Sequence, residues 1–177
     1  MKITILLLFS LFLTISSRAQ SQCDSTAKNA LGLFGAKLGM SPEQVRAVFG
    51  KDLKIKIKKR GTGTFFQNFI NKPPPASLPG VRALYLRFFR RELYQIEVFY
   101  EEKNNLPSLA EFVQDLSANL KLSTSEWKYS KGQAVVDCQQ FSIVADKVLN
   151  PRAQITDTVM QNAFEKEEQQ KNKSGKK

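Results

Sequence analysis

The chain has 177 residues, with 27 lysines and arginines against 16 aspartates and glutamates, no histidine, a formal net charge of +11 and a hydrophobic fraction of 42%. That length builds one domain with a full core and leaves too little for two of ordinary size, and that apolar content excludes an intrinsically disordered chain. The lack of histidine excludes the Ser-His-Asp and Cys-His catalytic arrangements and most zinc sites.

The N-terminus carries the pattern of a secretory signal. Lys2 precedes an apolar run from Ile3 to Ile15, interrupted by Thr4, Ser10 and Thr14. Ser17-Arg18-Ala19 then places small residues at the −3 and −1 positions of a cut after Ala19. The run is 13 residues long, short of the ~20 that cross a bilayer. Gln22 precedes Cys23, where lipid attachment requires a small residue. The expectation is a cleaved signal peptide at 1–19, a periplasmic or secreted protein that does not span the membrane, a single domain at 20–170 and a disordered basic tail at 171–177. In such a compartment disulfides persist, and Cys23 and Cys138 are the only two cysteines. A bridge between them is the favoured reading, and two unrelated thiols the alternative.

The first element after the polar lead-in is a short helix. Ser41-Pro42-Glu43-Gln44 supplies an N-cap, a proline in the first turn and a capping box. Met40 and Val45 occupy the positions of a hydrophobic staple, Val45, Val48 and Phe49 share a face, and Gly50 ends the helix. Leu53, Ile55 and Ile57 then alternate with Lys54, Lys56 and Lys58, which predicts a strand with one apolar face and one row of lysines. Arg60-Gly61-Thr62-Gly63 supplies a turn, and Thr64 to Ile70 a partner strand. Asn71 to Gly80, with four of the seven prolines, is a loop.

Val81 to Tyr100 reads as a hairpin. Leu84, Leu86 and Phe88 fall opposite Tyr94, Ile96 and Val98 if Arg90-Arg91-Glu92 form a three-residue loop. Arg87 then lies beside Gln95, and Tyr85 beside Glu97. Ser108 and Glu111 cap a second helix, whose stripe is Leu109, Phe112, Val113, Leu116 and Leu120. Trp127 lies in a connection. Gln133 to Val148 alternates as one long or two short strands, and Asn150-Pro151 turns the chain into a strand at Arg152 to Asp157. Val159, Met160, Ala163 and Phe164 mark a last helix running into Glu165-Lys166-Glu167-Glu168. The fold class expected is α+β, with short helices packed on one face of a mainly antiparallel sheet.

Charge is unevenly distributed. Lys51 to Arg91 holds eleven basic residues and one acid, Asp52, whereas Glu92 to Gln170 holds thirteen acids against seven basic residues. One reading is solubility with pairing between the two halves; the other is a surface that meets an anionic partner. The candidate binding residues are Lys54, Lys56, Lys58, Lys59 and Arg60, joined by Arg90 and Arg91. Catalytic patterns are missing. Gly61-Thr62-Gly63 is too short for a phosphate loop and precedes a strand. Glu101, Glu102, Asp137, Asp146 and Asp157 lack calcium-loop spacing, and no two carboxylates stand out as a glycosidase pair. No metal, cofactor or enzymatic activity is expected, and export argues against a nucleic-acid partner.

Gly39-Met40-Ser41-Pro42-Glu43-Gln44-Val45, followed by Phe49-Gly50, resembles the signature of the SmpA/OmlA (BamE-like) family of small exported domains. The resemblance covers residues 39–50. It implies a small α+β domain with helices packed on an antiparallel sheet, a part in assembling β-barrel proteins, and no catalysis. The β-lactamase inhibitor proteins look similar in architecture. The leading expectation is a non-catalytic exported binding or assembly module that contacts an envelope protein or an anionic surface through its basic strand region. The alternatives are an inhibitor or accessory subunit of a secreted enzyme, with the loop around Arg90-Arg91 as recognition element, and a histidine-free hydrolase.

Overall fold

The computed structural model describes residues 30–50, 53–71, 73–101, 108–147 and 150–174. The predicted signal peptide, Cys23 and Glu102 lie outside the described residues.

A small hairpin comes first: β1 (Gly32–Leu33) and β2 (Ala36–Lys37), closed by Phe34-Gly35. Helix α1 (Pro42–Phe49) then starts as its capping residues dictate. Gln44 N donates to Ser41 Oγ at 3.3 Å, and Ser41 N donates to Gln44 Oε1 at 2.7 Å, so the capping box is complete. Val45 and Phe49 are buried below it.

Four strands follow, β3 (Lys56–Ile57), β4 (Gly63–Asn68), β5 (Val81–Phe89) and β6 (Glu92–Tyr100), each antiparallel to the next. Helix α2 (Leu109–Leu120) opens a second round of the same kind. Glu111 N donates to Ser108 Oγ at 3.2 Å at its start. After it come β7 (Lys128–Ser130), β8 (Gln133–Asp137), β9 (Phe141–Asp146) and β10 (Arg152–Asp157), again each antiparallel to the next. β6 pairs with β10, giving one eight-stranded sheet in the order β3-β4-β5-β6-β10-β9-β8-β7. The chain thus makes a helix and a four-stranded meander twice, and strand order is symmetric about the β6–β10 pair. Helix α3 (Thr158–Ser174) ends the described chain. The fold is mixed α+β with a mostly antiparallel sheet, as expected, and the sheet has eight strands.

Register sorts the two faces. Phe65↔Leu86↔Ile96↔Ile155↔Ile143↔Val136 is one row across six strands, and all six are buried in the main core. Val45 and Phe49 of α1 and Phe112, Val113, Leu116 and Leu120 of α2 belong to that core. Trp127 closes it. Its Nε1 donates to Ser117 Oγ at 2.8 Å, which satisfies the one polar atom a buried indole carries. The opposite face carries Thr64, Phe66, Tyr85, Arg87, Gln95, Glu97, Gln154 and Thr156.

The structure departs from the sequence reading at four places. The β5–β6 loop is Arg90-Arg91 alone, with Phe89↔Glu92 closing it. A two-residue turn would swap the faces of β6, but a bulge at Tyr94 adds the missing residue: Phe88 pairs with Leu93, yet Leu86 pairs with Ile96. Beyond the bulge the expected pairs hold, with Arg87↔Gln95 and Tyr85↔Glu97. Second, the strand expected over Leu53 to Lys58 is ladder-paired only at Lys56–Ile57. Arg46 takes the neighbouring carbonyls instead, donating from Nε to Leu53 O at 3.3 Å and from Nη2 to Ile55 O at 2.8 Å. Third, α3 is neither short nor on the core face. Phe164 packs on Phe89 and Tyr94, with ring centroids 5.6 Å and 5.9 Å away. Both of those residues point away from Phe88 and Leu93, so α3 lies against the second face of the sheet. Fourth, α3 runs to Ser174, four residues into the segment expected to be a tail; residues 175–177 lie outside the described residues.

Candidate functional site

Topology gathers all seven predicted basic residues at one corner of the sheet. Alternation turns Leu53 and Ile55 into the core and leaves Lys54, Lys56 and Lys58 exposed on the other side. Lys56 pairs with Thr64 and Ile57 with Gly63. A Cβ on Gly63 would sit 2.5 Å from Ile57 Cδ1 and 2.7 Å from Lys56 O, so glycine is what lets this edge strand close on its neighbour. The chain then turns at Lys59-Arg60-Gly61. Lys58 N donates to Thr62 O at 2.8 Å and Gly61 N to Lys58 O at 2.9 Å.

That turn docks on the β5–β6 turn. Arg91 N donates to Gly61 O at 2.9 Å. Gly61 sits at φ +74°, and a Cβ there would meet Arg90 Cα at 2.9 Å. Arg90 stacks over the Phe89 ring at 4.9 Å. Arg91 Nη2 reaches Glu43 Oε1 of α1 at 2.9 Å, with both side chains exposed. The Glu43 carboxyl is held below its ordinary value by its own backbone N–H and the Ser41 hydroxyl, with Arg91 and Arg46 adding to the effect. Lys54, Lys56, Lys58, Lys59 and Arg60 make no ion pair with any carboxylate among the described residues.

Beside this corner lies an open cleft of about 760 Å³ between the lysine strand and α3. Lys54, Lys56 and Lys58 form one wall. Phe66, Tyr94 and Phe164 line the apolar part, and Glu168 of α3 stands opposite the lysines. Phe66 is 60% exposed and meets Tyr85 edge-on at 6.1 Å. The Glu168 carboxyl is held below its ordinary value first by Lys171, and then by the field of Arg60 and Lys58. Arg87, paired across from Thr64, lies over the Tyr85 ring at 4.9 Å. Its buried Nε has no hydrogen-bond partner among the described residues. Burial pushes the Tyr94 hydroxyl above its ordinary value, against the opposing pull of Arg87.

Two of the carboxylates singled out by sequence, Asp146 and Asp157, do other work. Arg152 Nη1 donates to Glu97 Oε1 at 2.8 Å, and its Nε donates to Asp146 Oδ2 at 2.7 Å. This triad spans β6, β10 and β9 with both acids nearly buried. Asp157, also buried, caps α3 by accepting from Met160 N at 3.0 Å. No group of three or more potential metal ligands occurs among the described residues, and no helix among them is long and apolar enough to cross a membrane. No cysteine among them is free; Cys138 is nearly buried just past β8, and its expected partner Cys23 lies outside the described residues.

The sequence reading missed the cleft's far wall. Phe164 looked like a core position, and Glu168 like part of a solvated charge run. What could have signalled them is spacing: Phe164, Glu168 and Lys171 follow i, i+4, i+7, so one helix face carries an aromatic and then charges. The chain matches no protein-family model, no curated protein and no solved structure.

Proposed function

We propose that this chain is an exported, non-catalytic binding or assembly module that engages an anionic envelope partner through its basic corner. The observation that carries the reading is the convergence of Lys54, Lys56, Lys58, Lys59, Arg60, Arg90 and Arg91, from two separate chain segments, with the first five free of ion pairs among the described residues. Internal neutralisation would have been the bland use of so uneven a charge distribution, yet three buried acids of the second half are directed elsewhere, Glu97 and Asp146 to Arg152 and Asp157 to a helix cap, and Glu168, which lines the cleft, pairs with Lys171 of its own helix. Export rests on the residue 1–19 pattern, and the assembly role on the resemblance at residues 39–50.

The test is co-sedimentation with phosphatidylglycerol vesicles against phosphatidylcholine vesicles across a salt series. Binding to the anionic vesicles should fall steeply as salt rises. Lys54→Glu, Lys56→Glu and Lys58→Glu together should abolish it; undiminished binding by that variant would overturn the reading.

A second reading is favoured by the Arg90-Arg91 turn. Two arginines held at positive φ on an exposed tip are a rigid recognition element for an acidic groove, as an inhibitor or accessory subunit of a secreted enzyme would present. Native pull-down that returns one defined enzyme, lost on Arg90→Ala with Arg91→Ala, supports this over the first. The hydrolase reading has the least support, because Arg152 occupies both carboxylates of the sheet centre.

A further inference from the structure

Lysines alone would suit any anion, but those of this corner stand over an apolar trough. Lys54, Lys56 and Lys58 form one wall of a cleft to which Phe66, Tyr94 and Phe164 bring aromatic rings beside Thr62, Thr64 and Gln67, and its volume of about 760 Å³ falls in the ~300–1,000 Å³ range of small-molecule sites. Phe66 gives its ring to the cleft while 60% exposed, on a strand face where a polar residue would cost nothing. Tyr94 reaches the cleft only because the bulge turns it to this face, and Phe164 backs it from α3. A free phosphate or a polyanion would use the lysines and leave the aromatic surface wet. A neutral hydrophobe would use the rings and leave three lysines uncompensated.

We propose that the cleft binds a single-chain anionic amphiphile of the long-chain carboxylate class, with the head group on Lys54, Lys56 and Lys58 and the chain along Phe66, Tyr94 and Phe164. The site deepens the basic-corner reading and rests on it. Glu168 lines the same cleft from α3, and its carboxylate feels Lys58 and Arg60, so its charge opposes the head group from that wall.

Calorimetric titration of the full chain with dodecanoate, kept below its aggregation limit, tests this. Saturable binding at one per chain is expected, with a negative heat-capacity change from apolar burial. Dodecyl maltoside and inorganic phosphate should each bind at least tenfold more weakly. Phe66→Ser, at an exposed position that should not disturb folding, should weaken dodecanoate at least fivefold and leave vesicle co-sedimentation unchanged. Glu168→Gln should tighten dodecanoate about threefold. The proposal is overturned if dodecanoate does not bind, if phosphate binds as well as dodecanoate, or if Phe66→Ser has no effect. Retained vesicle binding without dodecanoate binding would overturn this site alone and leave the basic-corner reading standing; loss of both would remove both.

Discussion

Arg90 and Arg91 sit at φ 52° and 64° in a two-residue turn of the large sheet. The other two-residue hairpin turns, Phe34-Gly35 and Lys131-Gly132, also have both residues at positive φ, and both place glycine second. Glycine there avoids the clash between Cβ and carbonyl that costs other residues about 1–2 kcal/mol each. At Arg91 the strain is offset by the hydrogen bond to Gly61 O and by the contact with Glu43, and an exposed ion pair contributes at most about 1 kcal/mol. Replacing the pair by the favoured turn sequence, Arg90→Asn with Arg91→Gly, should therefore raise stability by about 1–2 kcal/mol. Urea unfolding would show a higher midpoint at unchanged slope. The same variant should bind anionic vesicles more weakly, because two of the seven corner charges are gone. A variant that is both less stable and undiminished in binding would argue that these arginines hold the fold together and do nothing at the surface.

At the scale of elements, legibility followed locality. Both early helices begin where their capping serines place them, because capping is decided within four residues. The stripe of α2, with Leu109 partly exposed, and the alternation of β5 identified core positions that are buried. The bulge at Tyr94 was invisible, because alternation counts residues and cannot see one left unpaired; its effect was absorbed into an imagined three-residue loop. The side of the sheet taken by α3 was equally hidden, since Phe164 fits either face until β5 and β6 show which one carries Phe89 and Tyr94. The candidate site was legible in its lysines, which alternate along one segment, and illegible in its aromatic wall, which comes from three elements. The Glu97–Arg152–Asp146 triad belongs to the same class of long-range arrangements. Removing its centre with Arg152→Ala would leave two nearly buried carboxylates facing each other across three strands, a loss of about 3–5 kcal/mol at neutral pH. Adding Glu97→Gln and Asp146→Asn should recover most of that loss, as read by thermal unfolding. If the triple variant were no more stable than the single one, packing by the Arg152 stem would be the main contribution.

At the scale of the whole molecule, one long-range coupling is the expected bridge and the other is electrostatic. A bridge from Cys138 to Cys23 would close a loop of more than 100 residues, worth about 4–5 kcal/mol in the chain-entropy account. Alkylation without reduction should then leave both cysteines unmodified, and Cys138→Ser should lower the unfolding midpoint; labelling of Cys138 in the folded, unreduced protein would dismiss the bridge. The second coupling is electrostatic and titrates. Glu168 on α3 and Glu43 on α1 both have carboxyls depressed below their ordinary value of 4.5. Since the folded value is the lower one, the unfolded chain takes up the proton first. The stabilisation is complete above about pH 4.5 and is lost as pH falls through the folded values. Glu168 is held by Lys171 within its own helix and by Arg60 and Lys58 across the cleft, so its protonation loosens α3 from the lysine strand. Melting temperature measured from pH 6 to pH 3 should fall less steeply for Glu168→Gln than for the native chain. An unchanged slope in Glu168→Gln would mean that the charge lining the far wall contributes nothing to closing the cleft.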